Sequence, residues 1–90
     1  MTEESLELRQ QRGEPLDRVT LKMPLDSRIL TLQMQYGLPV LWVEVIPSRP
    51  PVPRNFVIVG TGTPVPDDAR AYVGTWQQQG GSLVFHLYEV

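Results

Sequence analysis

Residues 28–46 read RILTLQMQYGLPVLWVEVI, and this stretch decides the fold. Two runs of alternating side chains flank Tyr36-Gly37, and a turn of even length there holds the two runs in one antiparallel register. The pattern predicts a β-hairpin with different chemistry on its two faces. The predicted core face carries apolar side chains: Leu30, Leu32, Met34, Leu41, Val43 and Val45. The opposite face is mixed and carries Thr31, Gln33, Gln35, Val40, Trp42 and Glu44.

A second hairpin is predicted near the C-terminus, where residues 72–78 and 82–90 flank Gly80-Gly81. Alternation about this turn again separates two faces. The predicted core face holds Tyr72, Trp76, Leu83, Phe85 and Leu87. The mixed face holds Val73, Thr75, Gln77, Val84, His86 and Tyr88.

Other alternating segments predict strands outside the two hairpins. Leu6 and Leu8 lie two apart, which favours a short strand over residues 5–9, and residues 17–23 and 54–61 alternate in the same way. Residues 54–61 are apolar on both faces, which indicates a central strand. A turn is expected at residues 13–15. The proline-rich segment 47–53 is expected to form an extended connection that does not pair in a sheet.

These segments together predict an all-β fold. Five or six short strands and no convincing long helix indicate a small antiparallel sandwich or a partly open barrel. Ninety residues suit one domain spanning residues 1–90, in which residues 1–16 form a short strand or a flexible arm.

Charge and composition exclude several classes of function. Eight basic residues stand against ten acidic ones, Lys22 is the single lysine, and the arginines do not cluster, so a nucleic-acid partner is not expected. The chain has no cysteine, no apolar run near the length of a membrane span, and an acidic N-terminus. We therefore expect a soluble cytoplasmic protein with no membrane partner.

Few residues carry catalytic or ligand-binding chemistry. His86 is the only histidine, and it is either a hydrogen-bonded site residue or a structural histidine of a β face. Gly60-Thr61-Gly62 lacks a Walker lysine and a following helix, so it is either a structural bend or a bend whose N–H groups contact a ligand. Trp42 has three interpretations: a subunit interface, a ligand-stacking ring and ordinary packing. Neither a metal site nor a cofactor is predicted.

A dispersed set of motifs covers most of the chain, from about Val19 to Glu89. The motifs are Met23-Pro24, Leu32-Gln33-Met34-Gln35, Leu41-Trp42, Gly60-Thr61-Gly62, Tyr72-Val73-Gly74-Thr75 and Phe85-His86-Leu87-Tyr88-Glu89. Their order resembles a family of small phage-encoded proteins classed as a domain of unknown function. The resemblance implies a phage origin and action in the host cytoplasm, and it supplies no catalytic residues.

The leading hypothesis is therefore a non-enzymatic phage anti-defence protein. It would act as a homo-oligomer that sequesters a nucleotide-type immune signal between its subunits. Aromatic rings would stack on bases, glutamine amides would read polar edges, and arginine with glycine-rich backbone would hold phosphates. The predicted ligand contacts are Gln33, Gln35, Trp42, Arg54, Thr61, Thr75 and His86.

Two other functions remain open from the sequence. The same mixed face suits a phage inhibitor that binds a host protein. An enzyme that cleaves a signal nucleotide, with His86 as acid or base, is the remaining class.

Overall fold

The computed structural model describes residues 2–8 and 16–90, and over these residues the chain forms two antiparallel sheets. The three-stranded sheet has the order β1-β4-β3, and the four-stranded sheet has the order β2-β5-β7-β6. The strands are β1 (Thr2–Glu7), β2 (Leu16–Pro24), β3 (Arg28–Gln35), β4 (Leu38–Val45), β5 (Pro51–Gly60), β6 (Ala71–Gln78) and β7 (Leu83–Glu89).

The all-β prediction is confirmed, and the sheets are not closed into a barrel. The seven strands of the described part exceed the expected five or six, because the N-terminal segment is a strand that pairs with β4. The turn predicted at residues 13–15 lies outside the described residues. Within the described ranges, no helix has the length and apolar character needed to cross a bilayer.

The first hairpin turns at Tyr36-Gly37, as predicted. Both residues adopt positive φ angles, 52° and 78°, which match the right-handed twist of the flanking strands. The predicted register holds from Gln35 opposite Leu38 to Thr31 opposite Trp42. This part of the fold follows from turn length and alternation alone.

A β-bulge near the start of β3 overturns the predicted face of Leu30. Ile29 pairs with Val43 and Thr31 pairs with Trp42, so one extra residue enters β3 between them. Ile29 consequently packs against the core, while Leu30 is 37% exposed. Met34, also predicted in the core, is exposed near the turn.

The second hairpin contains the same irregularity at the corresponding place. Tyr72 pairs with Tyr88 and Gly74 pairs with Leu87, so a bulge lies at Val73. Val73 therefore packs against the core and Tyr72 is 59% exposed, the reverse of the predicted faces. Leu83, at the start of β7, is also partly exposed rather than buried.

The core lies between the two sheets. Most of the predicted core residues are buried there: Leu41, Val43, Val45, Phe56, Ile58, Trp76, Phe85 and Leu87. Leu8 and Met23 are equally buried, and Leu32 packs at the margin. Val57 and Val59 are buried as well, and β5 lies between β2 and β7, so the central position predicted for it is confirmed.

The sheets approach most closely where β3 passes over β6. A Cβ atom built on Gly74 would lie 2.9 Å from Cβ of Leu32, so the absence of a side chain at residue 74 permits this contact. Gly74 thus sets the spacing of the sheets at this edge.

The prediction that residues 47–53 do not pair is wrong for Pro51–Pro53, which pair with residues 22–24 of β2. The N–H of Leu25 bonds to the carbonyl of Pro50, so alternation turns Pro51 and Pro53 away from β2. Their other side faces no strand in the described part, since β7 pairs with β5 only from Phe56 onward. Proline there removes no ladder hydrogen bond.

Candidate functional site

The structure divides the seven predicted ligand contacts among three places. Thr61, Thr75 and His86 lie together on the outer face of the four-stranded sheet. Trp42, Gln33 and Gln35 belong to the three-stranded sheet, whose outer face points the opposite way. Arg54 lies on the core side of β5. One protomer therefore does not bring all seven residues to one site.

The outer face of the four-stranded sheet carries a continuous hydrogen-bonded chain. Thr75 Oγ1 lies 2.8 Å from Nδ1 of His86, and Thr61 Oγ1 lies 3.0 Å from Nε2. The hydroxyl of Tyr72 extends the chain by bonding to Thr75 Oγ1. Register explains the grouping, because Thr75 pairs with His86 across β6 and β7. Thr61 directly follows β5 and bonds to the backbone of Val84, which places it diagonally across from His86. We call these four residues the outer-face chain.

The Thr61 end of the outer-face chain determines which group donates in each of its hydrogen bonds. Thr61 Oγ1 donates to the carbonyl of Val84 at 3.2 Å, so it accepts from Nε2–H of His86. The neutral imidazole then accepts at Nδ1 from Thr75, which in turn accepts from Tyr72. The tautomer is assigned from this network. The Tyr72 hydroxyl thus acts as a donor and keeps its acceptor capacity, on a residue that is 59% exposed.

The ring of Tyr88 borders the outer-face chain and packs against Tyr72, a member of that chain. Tyr72 and Tyr88 meet edge to face with their centroids 5.6 Å apart, and Tyr72 is largely exposed. Val57 and Val59 lie beneath this surface and are buried, which supports the polar groups on a rigid strand. The result is an exposed platform of aromatic rings and oriented hydroxyls.

An ion pair stands beside the platform. Arg18 lies on β2, opposite Val57 of β5, and donates two hydrogen bonds to Asp68 at 2.8 and 3.1 Å. These bonds lower the pKa of the Asp68 carboxyl below its ordinary value, with the charge of Arg18 adding to the effect. An open cavity of about 430 Å³ adjoins the pair and is also lined by Thr20, Asn55 and Val90.

Arg54 is engaged in a separate cluster at the end of the core. Its Nε and Nη2 bond to both carboxylate oxygens of Glu89 at 2.7 Å, and Nη1 bonds to the carbonyl of Ser27 at 2.6 Å. Hydrogen bonding from Arg54 lowers the pKa of Glu89 and raises the pKa of the guanidinium. We call Arg54, Glu89 and Ser27 the Arg54 cluster. Its geometry ties three segments of the fold together.

Trp42 is half-buried on the outer face of the three-stranded sheet, between Thr31 of β3 and Ser5 of β1. Gln33 is exposed and donates to the hydroxyl of Thr31 at 3.2 Å. Gln35 is exposed beside the turn. These side chains form a second polar surface, remote from His86.

The tips of the two hairpins form a third surface that the sequence-based prediction missed. An open cavity of about 570 Å³ lies between the tips, lined by Met34, Gly37 and residues 77–81. Tyr36 beside it is 95% exposed, and Leu38 is 45% exposed. A signal was available in the sequence, because residues 29–43 and 71–85 contain no charged side chain.

Tyr72 was missed for a different reason. Alternation placed it on the core face, and the bulge at Val73 moves it to the outer one. Across residues 2–8 and 16–90, His, Asp and Glu side chains form no group of three or more suited to a metal ion.

Comparison with known families assigns the chain to one family. A family model described as a domain of unknown function, DUF7352, matches residues 12–90. This protein belongs to the DUF7352 family. No curated protein and no solved structure matches the chain.

Proposed function

We propose that this DUF7352 protein is a non-enzymatic binding protein for a small nucleotide-type ligand. The observation that carries the proposal is the outer-face chain, in which four side chains, Tyr72 among them, are already oriented by hydrogen bonds beside the ring of Tyr88. A site ordered in advance spends little entropy on binding. In the setting that the family resemblance implies, the protein is a phage anti-defence factor that sequesters an immune signal in the host cytoplasm.

The platform offers the groups that a nucleotide needs. The exposed ring of Tyr72 can stack on a base, and the free lone pairs of its oxygen accept from an amino or ribose hydroxyl group. Arg18 can exchange its exposed contact with Asp68 for a phosphate, because an ion pair at the surface holds only weakly. Base, sugar and phosphate each meet suitable chemistry on one face.

Binding rather than catalysis fits the state of His86. Both ring nitrogens are bonded to threonine hydroxyls, so a proton transfer to a ligand would first break one of these bonds. We assign His86 the role of orienting Thr61 and Thr75.

Calorimetry against cyclic dinucleotides and cyclic ADP-ribose isomers tests the proposal. We expect one of these ligands to bind, and His86→Ala to weaken that binding at least about tenfold through loss of the oriented hydroxyls. The ligand recovered after incubation should keep its mass. Cleavage of the ligand would favour the enzyme class. If the folded protein gave no binding signal with any of these ligands, the proposal would be refuted.

Trp42→Ala is the matched variant on the opposite face. Since Trp42 and His86 lie on faces that point apart, one ligand reaches both only when a second subunit supplies Trp42. An unchanged affinity in Trp42→Ala places the whole site on the outer-face chain. A loss of about 1–3 kcal/mol indicates stacking across subunits.

A second candidate function, inhibition of a host protein, is favoured by the hairpin tips. Met34, Tyr36 and Leu38 are exposed in a charge-free segment, and aromatic and methionine side chains without charge are typical of protein interfaces. Tyr36→Ser with Leu38→Ser should abolish such an inhibitor while leaving ligand calorimetry unchanged. The double variant therefore separates the two functions.

A further inference from the structure

The four edge strands of the described sheets differ in how they are protected. β1 carries Glu3, Glu4 and Glu7, and β2 carries charged side chains together with Pro24. Charges and proline at an edge prevent another strand from pairing there. Neither β3 beyond Arg28 nor β6 contains a charged residue or a proline. These two edges therefore lack protection by charge or proline.

The unprotected edges lie side by side, since Gly74 of β6 contacts Leu32 of β3. Each is irregular only at its beginning, where the bulges occur. The remaining segments, residues 31–35 and 74–78, are regular and uncharged. One margin of the sandwich is thus open to strand addition.

The hydrogen-bond pattern identifies which groups of β6 are free to pair. The carbonyl of Val84 accepts from Thr61, and Val90 donates to Asn55, so the even-numbered residues of β7 face β5. The odd-numbered residues then face β6, where Leu87, Phe85 and Leu83 are opposite Gly74, Trp76 and Gln78. Alternation leaves the backbone N–H and C=O groups of Thr75 and Gln77 directed at the open edge.

We propose that the β6 edge binds a second copy of this chain in antiparallel register about a two-fold axis at Trp76. Thr75 then pairs with Gln77 of the partner subunit, and the reciprocal pair forms on the other side of the axis. Four backbone hydrogen bonds join the subunits. No charged side chain approaches another, and the acidic β1 strands are kept apart.

A copy of the same chain fits this edge better than an unrelated strand. Any extended strand could supply matching backbone groups, but an identical copy covers the open edge of both subunits in one interface, because a two-fold axis uses the same edge twice. The pairing also makes one sheet of two four-stranded sheets, so the outer faces of both subunits become continuous.

The dimer would complete the proposed binding site. Gln77 and Thr75 are two residues apart in β6, so both side chains lie on the outer face. In the proposed pairing, Gln77 of the partner subunit is directly opposite Thr75 of the outer-face chain. Its amide adds a second hydrogen-bonding group for a base edge beside Thr75, in addition to the amide of the protomer's own Gln77, which lies two residues along β6 on the same face. This role of Gln77 rests on the proposed function, whereas the assembly does not.

Sedimentation equilibrium of the full chain without ligand tests the pairing. We expect a dimer at micromolar concentration, and we expect Gln77→Pro to raise the dissociation constant at least about tenfold, because proline removes the N–H directed at the open edge. Ser5→Pro is the matched control. The N–H of Ser5 points away from β4 on the charged edge, so this variant should remain dimeric.

Hydrogen exchange gives a readout that needs no substitution. The amides of Thr75 and Gln77 should exchange slowly at high protein concentration and rapidly after dilution, whereas the Ser5 amide should not respond. Gln77→Arg retains the N–H and adds a charge, and circular dichroism verifies that each variant is folded. Dissociation by Gln77→Arg supports the edge pairing even if Gln77→Pro does not fold.

Three results would overturn the inference: a monomeric wild-type chain, a folded Gln77→Pro or Gln77→Arg variant that dimerises normally, or concentration-independent exchange at both amides. Ligand calorimetry on the same samples is read separately. A monomer that still binds a nucleotide would refute the edge pairing and support the proposed function. A dimer that binds no nucleotide would support the edge pairing and refute the proposed function.

Discussion

The Arg54 cluster and the outer-face chain both connect β5 to β7, yet they differ in what they leave free. In the Arg54 cluster, side-chain exposure is 24% for Arg54 and 16% for Glu89, and every guanidinium nitrogen has a protein partner. The outer-face chain ends at Tyr72, which is 59% exposed and has acceptor lone pairs to spare. The first network is closed within the fold, whereas the second is open at its exposed Tyr72 end, where we propose that a ligand binds.

The largest effect on stability should come from Arg54→Ala. The substitution leaves the Glu89 carboxylate and the Ser27 carbonyl without their donor in a partly buried place, which should lower the free energy of unfolding by about 2–3 kcal/mol. Urea denaturation measures it. Arg18→Ala removes an exposed ion pair and serves as the control, with a much smaller loss. Equal losses in the two variants would contradict the distinction.

Gly74→Ala should have the next largest effect. The new methyl group would meet Cβ of Leu32, an atom fixed to the backbone, so the sheets must separate or β6 must shift. We expect a loss of about 1–2 kcal/mol in the free energy of unfolding. Thr75→Ala changes the adjacent, outward-facing residue and should cost less. A neutral Gly74→Ala would show that the contact between β3 and β6 yields easily.

Acid should weaken the Arg54 cluster. The folded-state pKa of Glu89 is lowered by Arg54, so the stability it contributes is present above the unfolded carboxyl pKa and is lost as pH falls through the folded value. Denaturation between pH 7 and pH 3 should show a steeper decline in the wild type than in Glu89→Gln. The loss should be smaller than in Arg54→Ala, because protonated Glu89 still accepts one hydrogen bond. If the free energy of unfolding fell equally with pH in the wild type and in Glu89→Gln, Glu89 would not contribute to the loss of stability in acid.

The smallest effect on stability should come from Tyr72→Phe. Only a hydroxyl at an exposed position is removed, so the free energy of unfolding should change by less than about 0.5 kcal/mol. Affinity for the ligand should fall nevertheless, because the open end of the outer-face chain is lost. Paired denaturation and calorimetry measure both. A large loss of stability would make this chain a second structural network.

Local sequence determined most of the strand positions, the Tyr36-Gly37 turn and most of the core. Period-two alternation and a turn of fixed length are properties of neighbouring residues, so they were readable without knowledge of the fold. The pairing of Thr75 with His86 belongs to the same class, because it follows from hairpin register. Thr61 contacts His86 because it directly follows β5, the strand that pairs with β7.

Tertiary structure decided the rest. The two bulges turned Ile29 and Val73 inward and Leu30 and Tyr72 outward. Alternation does not predict this, because the extra residue of a bulge interrupts the period of two. The assignment of each hairpin to a separate sheet placed Trp42 and His86 on opposite faces. Arg54 found Glu89 through a pairing 35 residues apart, and such distant partners depend on how the sheets assemble. The sequence specified which side chains lie on each face of a hairpin. Only the long-range assembly of the strands specified which hairpin faces lie on the same surface.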